Sequence, residues 1–572
     1  MNDSPVSVWL TSSQTRIFLD ALPTESIKSL SALKNEPLSF FVAYRAMGGK
    51  RADGRDTDIS LSIRLTSDTL PLSAYKILSA SFPASECEDA TVNTVGGCPD
   101  ILLRRSPSPE IVENKGEIHL PFYEKDEKVL LCASATRTQA LCVTVNEDGR
   151  TLPAGKHTVK LEALLMKTGE TVCTNELTVE LINATLPDDG FLYTNWLHYD
   201  CLADISGLPI WSDSYFVLLS KYIENAVRYG MNTLLLPAFT PALDTPVGSE
   251  RMNVQLVGVK RTPDGFYFDL TLLRRFIELA LDKGIKYFEH CHLFTQWGAR
   301  TAISVYDTEG ERIFGWNTSA TDPEYSDFLN KYLNAFLELA DSMGLGDRLL
   351  FHISDEPDTD QKEYYRQALN TVKHTLQGRR IGDALSDYSF YAEGIAELPV
   401  VRNIFADDFD GSCPSVMLYY TGGETEKGLA NRLLTTAPER VRALGLHLYR
   451  YRASGFLHWG YNYYYGRMSA GLFDPATDPC FYKNIPGVTY LVYPDIKGSP
   501  LPSLRELYSR DAMNDRRALL LCERLIGREA VLKICKEELG SSLCITSVPK
   551  NGQAMIALRE RINNEIRKAI IC

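Results

Sequence analysis

Two kinds of hydrophobic spacing divide the chain. From the start to about residue 185, short runs of alternating apolar and polar positions follow one another between turn residues: Ser39 to Tyr44, Ile59 to Leu65, Glu117 to Pro121, Lys128 to Ala133 and Leu141 to Val145. Alternation with period two turns one face of each run inward, and helical spacing is scarce here. Asp148-Gly149 is a turn signal, and the runs His157 to Met166 and Glu170 to Leu181 follow it. Strands at such short intervals predict an antiparallel β-sandwich over residues 1–186. Asn183 to Gly190, with a proline, two aspartates and a glycine, reads as the linker.

Beyond Phe191, apolar runs of strand length alternate with longer amphipathic ones. The strands fall at Phe191 to Leu197, Thr233 to Leu236, Lys286 to Cys291, Leu349 to Ile353, Ile381 to Leu385, Val401 to Phe405, Val416 to Tyr419 and Gly455 to His458. Helical spacing marks Ser214 to Tyr229, Thr271 to Lys283, Tyr325 to Met343, Gln361 to Leu376 and Pro438 to Arg450. Eight strands in this alternation predict a (β/α)8 TIM-type barrel over 187–525. Its sixth unit is the least regular, since no helical run follows Phe405. From Leu501 the chain is helical, with Arg528 to Leu539 closed by Gly540 and a last helix near Gln553 to Ile570, so 526–572 form a short C-terminal helical region.

Composition narrows the function. In the 572 residues, 60 Lys and Arg against 73 Asp and Glu leave a net charge of −13. So acidic a chain repels polyphosphates unless its basic residues cluster, and the doublets Arg104-Arg105, Arg379-Arg380 and Arg516-Arg517 lie too far apart for that. Nucleic acid is not an expected partner. The thirteen cysteines are an odd number without a C-x-x-C pair or zinc-finger spacing, which fits reduced core thiols. The start lacks a basic segment followed by an apolar one, and no apolar run reaches ~18 residues, so no membrane insertion and a cytoplasmic location are expected.

In a barrel the reaction site lies behind the C-terminal ends of the strands. Those ends are polar and aromatic: Trp196-Leu197-His198-Tyr199-Asp200, Glu289-His290-Cys291-His292 with Gln296-Trp297-Gly298, His352-Ile353-Ser354-Asp355-Glu356-Pro357, Ser386-Asp387-Tyr388, Tyr419-Tyr420 and His458-Trp459-Gly460-Tyr461-Asn462. Five of the nine histidines and three of the six tryptophans fall there, more than scatter would place. Carboxylates among aromatic walls, amides and imidazoles suit a sugar, with hydroxyls to bond and C–H faces to stack. Neither G-x-x-x-x-G-K-[ST] nor G-x-G-x-x-G occurs, which removes the common nucleotide motifs.

Asp355-Glu356 is the sharpest feature. Retaining cleavage by an enzymic nucleophile needs two carboxylates facing each other ~5 Å apart across the anomeric carbon, and inverting cleavage needs a wider gap. Neighbours in a strand point to opposite faces and serve neither geometry easily. Another division of labour suits them. The substrate's own 2-acetamido oxygen attacks, the aspartate orients the acetamido group, and the glutamate protonates the leaving oxygen.

Phe351 to Pro357, Gly455 to Asn462, His198 to Ala203 and Phe294 to Ala299, four ordered motifs, together with Tyr490-Leu491-Val492-Tyr493-Pro494, resemble glycoside hydrolase family 123 from about 190 to 520. The resemblance implies a β-sandwich before a (β/α)8 barrel and a retaining, substrate-assisted, exo-acting β-N-acetylgalactosaminidase without a cofactor. Its substrate would be an oligosaccharide with a terminal β-GalNAc. By the same resemblance Asp355 stabilises the acetamido group and Glu356 is the acid/base, while the stretch Arg467 to Lys483 is less typical of the family.

Candidate sugar-binding residues are His198, Asp200, His292, Gln296, Trp297, Asp387, Tyr419, Trp459 and Asn462, with Tyr420 competing with Tyr419 as hydroxyl donor to the acetamido oxygen. Each has a plainer reading. Asp355-Glu356-Pro357 also suits a helix start, and Asp200, Asp387 and Asn462 suit caps. Trp297, Trp459 and the run Tyr461 to Tyr465 suit packing. His290-x-His292 suits zinc but lacks a third ligand at recognisable spacing, so no metal is expected; satisfied burial is the common fate of His290 and His352. A β-N-acetylglucosaminidase and a catalytically silent sugar-binding barrel remain the alternatives in function.

Overall fold

In the computed structural model, which describes residues 4–571 apart from 24–25, 48–57, 105–111, 115–116, 120–122, 126–127, 242, 264, 427 and 496–497, the N-terminal part is built of two sheets. The first runs in spatial order Val6–Ser12, Leu38–Ala46, Gln139–Val145, Leu72–Pro83 and Gly97–Arg104. The second runs Ser29–Leu33, Thr171–Ile182, Gly155–Leu165, Ile59–Thr66, Lys128–Ala133 and Tyr123–Lys125. Alternate residues of both meet in one buried cluster, with Phe40, Val42, Leu141 and Val143 against Leu61, Ile63, Val159, Leu161 and Val179.

One pairing differs from expectation. Ser29–Leu33 pairs in parallel with Thr171–Ile182, so the arrangement is not wholly antiparallel. The Asp148-Gly149 turn closes no hairpin. Asn146 takes a left-handed φ of 57° and clamps Arg150 through two hydrogen bonds of 2.8 and 3.0 Å, passing the chain from the first sheet to the second. The run expected from Glu117 is a strand to His119, and residues 120–121 lie outside those described.

The second part holds an eight-stranded sheet, parallel throughout. In chain order its strands are Leu192–Asn195, Thr233–Leu236, Tyr287–His290, Leu349–Phe351, Arg380–Ile381, Val400–Arg402, Met417–Tyr419 and Gly455–His458. Spatially they run fifth, fourth, third, second, first, eighth, seventh, sixth. The sheet is curled, so that behind its fifth and sixth strands Ala384 bridges Val400, with Leu385 N donating to Val400 O at 3.0 Å. Leu192, Leu235, Leu350, Val400, Met417 and Leu457 pack together inside the curl. Their neighbours Tyr193, Leu234, Phe351, Val401, Leu418 and Phe456 pack with the surrounding helices, which is why these strands read as continuous apolar runs.

Among the helices are Asp213–Arg228, Thr271–Asp282, Pro323–Ser342 and Lys362–Val372. The third starts two residues before its apolar periodicity, because Asp322 accepts from the Glu324 and Tyr325 amides and Pro323 fills the first turn. The expected helix Pro438 to Arg450 is two, Pro438–Arg442 and Leu444–Arg450. Gly445 lets the second approach the helix Leu504–Ile526 so closely that a Cβ would lie 2.0 Å from Ala512 O. Behind the sixth strand stand only Asn403–Phe405 and Ala406–Phe409, two short turns.

Leu504–Ile526, Arg528–Leu539 and Gly552–Ile571 pack on one another and on Leu33 and Ile182 of the N-terminal sheets. Among the described residues no helix is long and apolar enough to cross a membrane.

Candidate active site

A cavity of about 470 Å³ opens where all eight parallel strands end. Trp196 follows the first strand, Asp244 the second, Gln296 and Trp297 the third, Asp355 and Glu356 the fourth, and Ala384 the fifth. Arg402 and Tyr419 end the sixth and seventh, while Trp459, Tyr482 and Lys483 follow the eighth.

The fourth strand stops at Phe351, so Asp355 and Glu356 stand in a turn rather than on a strand. That turn is stitched to the loop behind the third strand. Phe294 N donates to Ile353 O at 3.0 Å, Trp297 N to Asp355 O at 2.8 Å, and Ser354 Oγ to Thr295 O at 2.8 Å. Glu356 sits at φ 41°, a left-handed backbone that costs a side chain about 1–3 kcal/mol and persists only when its surroundings hold it. This turn brings two adjacent carboxylates into one cavity. Trp297 and Ala299 share the left-handed region at φ 59° and 53°, and Asp244 lies at φ 47°. The helix-start reading of Asp355-Glu356-Pro357 is displaced by Asp358, whose side chain forms the capping box with Gln361.

Tyr419 donates to Glu356 Oε1 at 2.6 Å. Burial, and then the charge of Glu356, push the Asp355 carboxyl well above the usual carboxylate range, against the opposing pull of His352. Burial alone would strip the proton from His352. The Asp383 and Glu289 carboxylates on either side outweigh it and hold the imidazole protonated, pushed up to about 10. Asp244, the third cavity carboxylate, is engaged at both oxygens: Tyr463 OH and Met468 N donate to one at 2.7 and 2.9 Å, Tyr482 OH to the other at 3.2 Å.

Of the predicted residues, Asp355, Glu356, Gln296, Trp297, Tyr419 and Trp459 line the cavity. Gln296 spends its amide N–H on Thr245 O at 2.7 Å, and its buried Oε1 has no hydrogen-bond partner among the described residues. Tyr420 turns away and packs on Phe456 and His458. The other five line other surroundings. His198 is a satisfied core histidine, between Trp459 O at 2.7 Å and the Arg251 guanidinium at 3.2 Å. Asp200 is held by Arg251 through two hydrogen bonds of 2.8 Å, and both side chains are buried. Asn462 clamps the backbone of His198 in both directions. Asp387 caps the short helix Tyr388–Ala392 by accepting from Ser389 N. His292 lies behind the cavity wall, stacked on His352 with ring centroids 5.0 Å apart.

His290 and His292 do not share a face. His290 closes the third strand and bonds the Tyr332 hydroxyl at 2.7 Å, on the helix side of the sheet. His292, His352 and Asp383 do offer ligand atoms within 4.8 Å of one another. The Asp383 oxygens, however, are occupied by donors from Ile353, Ser354, Tyr365 and His352, which leaves no lone pair for a cation.

Trp196, Asp244, Arg402, Tyr482 and Lys483 are cavity residues that the strand-end rule did not single out as binding groups. Arg402 ends its strand and shows the same polar-after-apolar signal as the others. Its guanidinium bonds Glu424 Oε1 at 2.8 and 2.6 Å, and Glu424 in turn holds Thr421. Asp244, Tyr482 and Lys483 sit on long loops, and nothing local marks them.

Curled parallel sheet, strand-end cavity, aromatic walls and a carboxylate pair together mark a carbohydrate-cleaving enzyme. The family model of the glycoside hydrolase 123 catalytic domain matches residues 196–522, and the chain belongs to that family. A family 123 glycoside hydrolase from Clostridium perfringens, solved to detail glycolipid glycan hydrolysis, shares the fold at 13% identity, TM-score 0.68, over 98% of both chains. A glycosyl hydrolase family 2 member from Bacteroides cellulosilyticus aligns over 82% of this chain and 47% of its own at 9% identity, with a TM-score of only 0.28. Bacteroides uniformis β-glucuronidase 2 aligns over 85% and 49% at 11% identity, TM-score 0.29. Neither of these two bears on the present chain. No curated protein matches it.

Proposed function

We propose that the protein is a retaining, exo-acting β-N-acetylgalactosaminidase in which the substrate's acetamido oxygen is the nucleophile. One observation carries the reading. Of the three carboxylates lining the cavity, Asp244 has both oxygens engaged, and the other two are sequence neighbours on one turn. Among the described residues no free carboxylate faces the pair to attack from across the sugar, which supports a nucleophile from the substrate. Asp355 orients and charges the acetamido group. Glu356, steadied by Tyr419, protonates the leaving oxygen and then activates water. Trp297 and Trp459 supply faces for the sugar ring, and Gln296 Oε1 an acceptor for a hydroxyl.

The same proposal takes the parallel sheet as a (β/α)8 barrel, supported by the Ala384–Val400 bridge, within residues 187–525. Residues 1–186 and 526–572 brace it. Preference for galactosamine, and action on glycans such as those named for the Clostridium perfringens enzyme, rest on family membership.

Initial rates on 4-nitrophenyl β-N-acetylgalactosaminide, β-N-acetylglucosaminide and β-galactoside test it. Turnover of the first alone supports specificity and acetamido participation. Equal turnover of the galactoside would remove substrate assistance, and a preference for the glucosaminide would reassign the sugar.

A further inference from the structure

Behind the Asp355–Glu356 turn lies a buried carboxylate that touches no part of the cavity. Ile353 N donates to both oxygens of Asp383 at 3.0 and 2.9 Å, Ser354 N to one at 3.4 Å, the Tyr365 hydroxyl at 2.6 Å, and His352 Nδ1 lies 3.2 Å away. Ile353 and Ser354 are the two residues immediately before Asp355. On the far side of His352, Glu289 Oε1 stands 3.8 Å from Nε2. The other oxygen of Glu289 accepts the Trp196 indole N–H at 2.7 Å and the Thr194 hydroxyl at 3.0 Å. Trp196 lines the cavity. Hydrogen bonds at both ends and an ion pair beyond hydrogen-bond distance between His352 and Glu289 thus lie between the catalytic turn and the cavity wall.

We infer that Asp383 is a positioning residue: it fixes the backbone that turns Asp355 and Glu356 into the cavity, and through His352 and Glu289 it ties that turn to Trp196. The inference rests on the reading of Asp355 and Glu356 as the reacting pair. Packing alone would not call for this arrangement. Donors point at both oxygens of Asp383, and a neutral amide would set its NH2 against one of them, so the turn uses a full carboxylate although burying a charge costs several kcal/mol. Asp383 bonds the turn directly, and the His352 imidazole lies beside that carboxylate. The titratable groups facing His352 are Glu289, His290 and His292 from the third strand and its loop, Asp383 from behind the fifth, and Asp355 on its own segment. Those facing Asp355 are Glu356, Asp383, His352, Asp244 and Tyr419. Burial and the neighbouring carboxylates hold the Asp355 carboxyl up, and the His352 imidazolium opposes them, favouring the ionised form that orients the acetamido group and keeping the site active to lower pH than without it.

The test compares wild type, Asp383→Asn, His352→Gln and Tyr365→Phe on whichever aryl glycoside the wild type cleaves. Asp383→Asn should lower kcat at least about 100-fold with KM within about threefold, as expected when a reacting group is misplaced while the binding walls remain. His352→Gln should move the acidic limb of kcat/KM to higher pH. Tyr365→Phe, which removes one donor and leaves the charges, should lose less than tenfold and leave the limb in place. On wild-type protein, histidine-labelled NMR assigned through His352→Gln should find His352 still protonated at pH 8, a readout that needs no substrate. Retention of kcat in Asp383→Asn, an unmoved limb in His352→Gln, or an imidazole neutral at pH 8 would overturn the inference. Cleavage of a glucosaminide instead of a galactosaminide would overturn the proposed specificity and leave this inference standing.

Discussion

Replacing Glu356 by glutamine removes a proton donor and keeps the shape around it. The side chain keeps its length, the amide oxygen can accept from the Tyr419 hydroxyl that now lies 2.6 Å from Oε1, and the left-handed turn at φ 41° asks the same of either residue. What disappears is acid assistance to the departing oxygen, worth about 10²–10⁴-fold for a positioned group. At 1.36 kcal/mol per decade that is about 3–5 kcal/mol of barrier. A sugar alkoxide leaves poorly without a proton, so turnover of a disaccharide should fall about 1,000-fold. A 2,4-dinitrophenolate leaves as a stable anion, and its release should fall no more than about tenfold. Initial rates on the two substrates, measured with one enzyme preparation, give the ratio of the losses. A folding defect lowers both alike. Equal losses on the two substrates, or wild-type turnover of the disaccharide, would refute the acid role of Glu356.

Asp355→Asn should be poor on both leaving groups, because orientation of the acetamido group is needed however easily the aglycone departs; loss confined to the disaccharide would exchange the two roles. Asp200→Asn leaves Arg251 buried without its partner and should cost about 3–5 kcal/mol, seen as a lowered Tm with KM nearly unchanged. A raised KM at wild-type Tm would instead place Asp200 on the sugar. Burial pushes Glu506, which accepts from Asn225 and Tyr461, up to about 8 from an ordinary 4.5. The folded protein thus holds this proton more tightly than the unfolded chain, a stabilisation complete below pH 4.5 and lost as pH rises through 8. Glu506→Gln should flatten Tm against pH across that window relative to wild type, and an unchanged slope would show that Glu506 does not titrate there.

Much of this architecture is legible because each strand of a parallel sheet is buried on both sides. Thr233–Leu236 and Gly455–His458 are continuous apolar runs with polar breaks, and their limits coincide with the observed strands. The same logic locates Asp355, Glu356, Trp297, Tyr419 and Trp459 behind strand ends. It fails where a polar residue behind a strand serves the protein itself. His198, Asp200 and Asn462 carry the right chemistry in the right place, but Arg251 and the backbone behind the first strand use it up. Arg251 comes from a loop some fifty residues away, and no spacing rule joins the two. Asp244 and Lys483 reach the cavity by loop geometry, including left-handed backbone at φ 47° and 53°, that side-chain type does not announce. The turn between the two N-terminal sheets is legible only in part: Asp148-Gly149 marks a reversal, not the sheet in which the next strand pairs.

The central claim is that the substrate's acetamido oxygen attacks the anomeric carbon while Asp355 and Glu356 assist. Aryl glycosides carrying acetyl, fluoroacetyl, difluoroacetyl and trifluoroacetyl on the 2-amino group test it directly, because each fluorine weakens that oxygen as a nucleophile and leaves the aglycone unchanged. The account predicts that kcat/KM falls steadily along the series. Rates that do not change with fluorination would contradict it and return the search to a nucleophile supplied by the protein.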